Sequence, residues 1–106
     1  SVTIFGFKHT YYSDLRAFLS KGTTTVQLFR SQSDGATFTQ NGRSNLDGNY
    51  TFATTGNNWY DQPNPVPSAT YASFQAWSAF NGSALDGTWT LKVEDRKGGP
   101  AVPGSF

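Results

Sequence analysis

Residues 80–95, FNGSALDGTWTLKVED, constrain the fold more than any other stretch of the chain. From Thr88 to Val93 polar and apolar residues alternate, so an extended backbone places Trp89, Leu91 and Val93 on one face. Such a strand is buried on one side only and needs a second layer to cover it. Asn81-Gly82 and Asp86-Gly87 lie just before it, and both dipeptides tolerate the positive φ of a tight reversal. Beyond it, charge, glycine and proline at Glu94 to Pro100 end the strand.

The remaining sequence supplies more strands and no helix. Val2 to His9 is an aromatic and β-branched run in which Gly6 marks a bulge or a close backbone approach. Leu15, Ala17 and Leu19 alternate with Arg16 and Phe18, and Val26 and Leu28 share a face in the run from Thr24 to Arg30. Short connections join these three strands, which predicts a meander. Residues 31–47 read as a polar loop with at most one short strand around Phe38, and residues 49–54 as another strand. Residues 56–69 carry Pro63, Pro65 and Pro67, too many for a central strand. In residues 71–80 aromatic residues recur every third position, which fits a 3₁₀ turn or irregular chain with a short strand near residues 77–80.

Six or seven short strands in 106 residues predict one all-β domain, an antiparallel β-sandwich of jelly-roll type spanning residues 1–106. Phe5, Phe18, Phe29, Phe52 and Trp89 are expected in its core. Basic residues are scattered and the net charge is +1, which argues against a nucleic-acid surface or a membrane-binding basic patch. No apolar run is long enough to span a membrane. With no cysteine there is neither a disulfide framework nor a thiolate metal site. Two sequons occur, Asn49-Tyr50-Thr51 and Asn81-Gly82-Ser83; a chain this rich in Ser, Thr and Asn acquires some by chance.

Four segments in order carry a family resemblance: residues 4–19 (IFGFKHTYYSDLRAFL), residues 22–29 (GTTTVQLF), residues 48–52 (GNYTF) and residues 80–95. Together they resemble the P domain of kexin- and furin-like proprotein convertases, and more closely its bacterial relatives. The resemblance implies a jelly-roll sandwich without catalytic machinery, placed beside secreted proteases or within cell-surface proteins. It also implies a last strand beyond a Gly-X-Leu-like turn, where this sequence reads Gly104-Ser105-Phe106. A sandwich without that strand has an open edge that invites pairing, from a neighbouring domain or from another subunit.

Candidate site residues are few. His9 is the sole histidine; a triad would need Asp14 and a serine, and no Gly-X-Ser-X-Gly elbow accompanies them, so an enzyme is not expected. Asp14, Asp86 and Asp95 lie at loop–strand junctions, where calcium can be held by carboxylates and carbonyls, although aspartate there more often closes an Asx-turn. Trp59 and Tyr60 sit in the Asn/Pro-rich loop with no periodic partner. With Trp77 they are candidates to stack on carbohydrate or to anchor a partner protein, unless the loop folds back and buries them. The expected function is a non-catalytic, extracellular module that stabilises or mediates contacts of a secreted or cell-surface protein. An assembly subunit and a carbohydrate-binding module are the alternatives.

Overall fold

Alternation becomes strand wherever a facing layer exists to bury one side. The computed structural model describes residues 1–38, 44–82 and 87–96. Within them lie six strands: β1 Val2–His9, β2 Leu15–Lys21, β3 Thr24–Phe29, β4 Leu46–Ala53, β5 Ala69–Ala72 and β6 Thr90–Asp95. Two three-stranded sheets form, in the orders β1-β4-β5 and β3-β2-β6. They pack face to face, with Phe29 of β3 and Phe52 of β4 meeting at 5.3 Å between ring centroids. The molecule is an all-β sandwich with one contiguous core.

Only part of the expected meander forms. β2 and β3 make a hairpin around Gly22, whose φ of 60° the reversal requires. β1, however, leaves for the other sheet, where it pairs with β4 in an antiparallel register that runs from Val2↔Phe52, 50 residues apart, to His9↔Leu46, 37 residues apart. A 3₁₀ turn at Tyr12–Asp14 carries the chain between the layers, with the Tyr12 N–H donating to the Ser44 carbonyl at 3.1 Å. One strand pair, β4 with β5, runs parallel.

Phe5 and Phe18 are not core residues: Phe18 is half-buried on the outer face beside Arg16, and Phe5 is 71% exposed. Ile4 pairs with Tyr50 and Phe7 with Gly48, so Phe5 and Gly6 together stand opposite Asn49 alone. Gly6 takes φ of 61°, and this bulge turns Phe5 outward while Ile4 and Phe7 remain inside. The triplet spacing of residues 71–80 resolves into two pieces. Tyr71 lies in β5, and Trp77–Phe80 is a 3₁₀ turn rather than a strand, as three residues per turn would place Trp77 and Phe80 on one side.

Candidate functional site at the open flank of the sandwich

The aromatic residues singled out in the Asn/Pro-rich loop are drawn inward. Trp59 is 1% exposed and is the hub of the core, within 4.6 to 5.8 Å of the rings of Phe29, Phe52, Tyr71, Tyr12 and Tyr50. This corrects its expected role: a ring so enclosed cannot stack on a sugar or anchor a partner. The loop is held down by Asn57, whose N–H donates to the Thr70 carbonyl at 2.9 Å while its carbonyl accepts from Ala72 at 3.0 Å. Gly56 permits this approach, since a Cβ there would come within 2.7 Å of the Thr70 carbonyl oxygen. Tyr60 is half-buried, and its hydroxyl accepts the Arg30 backbone N–H at 3.0 Å. Burial pushes that phenol's pKa above its ordinary value despite the Arg30 hydrogen bond. Trp77, also half-buried, joins a separate aromatic row through Phe80 to Trp89, with Lys21 Nζ 4.9 Å from the Trp89 ring centroid.

His9 does not meet Asp14. Its Nε2 lies 3.2 Å from Asp95 Oδ2, and it makes no hydrogen bond to a serine among the described residues. The carbonyl of Asp14 instead accepts the Arg96 N–H at 2.7 Å, tying the start of β2 to the end of β6. Among the described residues no group of three or more His, Asp or Glu side chains converges as a metal site. Of the three aspartates considered for calcium, Asp14 and Asp95 are described and Asp86 lies outside the described residues, as do residues 97–106, where the final strand was sought.

What distinguishes one region of the surface is the contrast between the two flanks. On the β5/β3 side, residues 73–75 cross from one sheet to the other. Ser73 donates to the Ala53 carbonyl at 2.9 Å, Phe74 to Leu28 at 2.8 Å and Gln75 to Gln27 at 3.0 Å, while the Gln75 side-chain oxygen accepts the Gln27 N–H at 2.7 Å. Arg30 stacks on Phe74 with its guanidinium carbon 4.2 Å from the ring centroid. That edge of β3 is therefore satisfied by a strap.

On the β1/β6 side no further strand pairs with either edge among the described residues, and His9–Asp95 is the side-chain link between the ends of the two strands. Leu91 and Val93 point inward, yet both are only half-buried, whereas Leu15, Ala17, Val26 and Leu28 of the neighbouring strands are fully enclosed. The two edges differ. The Phe5–Gly6 bulge breaks that of β1, while β6 pairs with β2 in unbroken register from Thr90↔Ser20 to Asp95↔Leu15. On the outer face Arg16 bridges Glu94 at 3.0 Å and Asp34 at 2.9 Å, which clips residues 31–35 to the sheet and keeps β6 flat against β2. Among the described residues β6 is thus a regular strand paired along one edge only and with one face incompletely covered.

No family model, curated protein or solved structure matches the chain.

Proposed function

We propose that this chain is a non-catalytic, extracellular β-sandwich module of P-domain type that stabilises or mediates contacts of a larger secreted or surface protein through the open flank at β6. The half-buried Leu91 and Val93, inward-facing on a regular edge strand, carry the reading. Adding one extended segment there would satisfy backbone groups along six residues and complete the cover over both side chains. The charge row Lys92 and Glu94 on the outer face discourages indiscriminate pairing and favours a segment with compensating charge. The four-segment resemblance supports the extracellular placement and the jelly-roll topology.

Hydrogen exchange tests this directly. In the isolated chain the outward amides of β6 should exchange fast, and they should become protected when the chain is joined to the polypeptide that flanks it in its gene. Equal protection in both states would refute the proposal. A second copy serving as the neighbour is a related reading, favoured by the same half-covered apolar row. Light scattering would then give a mass above the monomer that Leu91→Lys abolishes.

A further inference from the structure

We infer that Asn49 is an N-linked glycan acceptor, with the first sugar seated over the outer face of the β1-β4-β5 sheet beside Phe5. The inference uses only the secretory route of the reading above, and neither its partner nor the β6 edge. Asn49 lies in the middle strand, exposed and pointing away from the core between inward-facing Gly48 and Tyr50 neighbours. Its side chain has one hydrogen bond: Oδ1 accepts the Gly6 N–H at 2.9 Å. Nδ2, the atom that is glycosylated, has no hydrogen-bond partner among the described residues. Glycosylation replaces one hydrogen on Nδ2 and leaves the carbonyl intact, so the bond that pins the Gly6 bulge survives the modification.

Two neighbours fit this role. Thr51 completes the sequon two residues along the same strand and on the same face, where its hydroxyl pairs with that of Thr3 at 2.7 Å in the folded sheet. Transfer would precede that pairing, on the extended nascent chain. Phe5 shares the bulge directly opposite Asn49 and is the most exposed of the large apolar residues among those described, beside the polar Thr3, Asn49 and Thr51. A sugar beside it would cover apolar surface that the fold itself leaves in water. In the other sequon Asn81 and Gly82 are described and Ser83 lies outside the described residues, so no comparable geometry supports it.

The chemistry is oligosaccharyl transfer from a polyprenyl-diphosphate sugar donor catalysed by the host's membrane transferase. Nδ2 attacks the anomeric carbon, a C–N bond forms as the C–O bond to phosphate breaks, the polyprenyl diphosphate leaves, and the Nδ2 proton passes to the transferase base.

The test is secretion of the chain from a eukaryotic host, followed by mass spectrometry of the peptide containing residue 49 before and after peptide N-glycosidase in heavy-oxygen water. The expected result is a sugar mass on that peptide, removed by the glycosidase with heavy oxygen incorporated at residue 49, and absent from both Asn49→Gln and Thr51→Val. Thr51→Val keeps the side-chain shape, so loss of sugar from a Thr51→Val chain that melts cooperatively isolates the sequon from folding. The glycosylated chain should also melt higher than its enzymatically trimmed form, and Phe5→Ala should shrink that difference. A folded, secreted chain with Asn49 unmodified, or with sugar at Asn81 alone, would overturn the inference.

Discussion

His9 Nε2 and Asp95 Oδ2 lie 3.2 Å apart, joining the last residue of the first strand to the last residue of the sixth across two different sheets. Both side chains are largely shielded, so the contact is worth more than a fully solvated pair and less than a buried one. His9→Gln and Asp95→Asn should each lower stability by about 1 kcal/mol, and the double variant should fall short of their sum by about 0.5 kcal/mol. A double-mutant cycle by urea denaturation reads this coupling.

Trp59 fills the centre of the aromatic core, and its Nε1 is buried without a hydrogen-bond partner. Trp59→Ala should cost about 3–5 kcal/mol, which for a domain of this size threatens folding altogether. Trp59→Phe keeps a ring in place and removes the orphaned donor, so it should cost roughly half as much. Thermal melts of the two variants check the order.

Gly56 is needed for proximity rather than for a special φ. A methyl group there would stand 2.7 Å from both the Thr70 oxygen and the Tyr71 carbonyl carbon, backbone atoms that cannot swing aside. Gly56→Ala should therefore destabilise by about 1–3 kcal/mol and raise hydrogen exchange at Asn57 and Ala72, whose mutual contacts depend on this approach. Gly87→Ala would meet only the flexible Lys21 side chain, but its φ of 106° makes that substitution strained for a different reason.

Asp34 gives the molecule an acid-sensitive clip. Burial pushes its carboxyl up, but the Ser31 N–H and hydroxyl together with Arg16 more than offset this, and the pKa lies below the ordinary aspartate value. A lowered folded-state pKa means that this stabilisation is complete above the unfolded value and is lost as pH falls through the folded one. Asp34→Asn should remove about 1 kcal/mol at neutral pH and flatten the acid limb of the stability curve. Denaturation midpoints measured from neutral pH downward test both effects.

The strands whose partners are close in sequence were legible. Leu15, Ala17 and Leu19 alternate cleanly, Val26 and Leu28 follow after a glycine turn, and Leu91 and Val93 pack against the core as predicted, with Trp89 also against it but just ahead of the strand, which begins at Thr90. β1 was legible as a strand but not in its placement, because nothing local tells Ile4 that its neighbour is Tyr50. Phe5 was misassigned because a single bulge inverts which residues face the core, and alternation carries no sign of where the bulge falls. Trp59 was left undecided between exposure and burial because its position depends on a backbone contact between Gly56 and β5 that no side-chain pattern reports. For the candidate site, the resemblance suggested an open edge from a final strand sought in residues 97–106, which lie outside the described residues, whereas the contrast between the regular register of β6 and the bulged one of β1 required the pairing of both.

The strap over β3 has a consequence for any self-association. A subunit able to bond sideways at both borders would propagate into fibres. Here the β3 border is already strapped by Phe74 and Gln75 and the β1 border is broken by its bulge, so two copies meeting at β6 around a twofold axis would leave no second regular border among the described residues and halt at a pair.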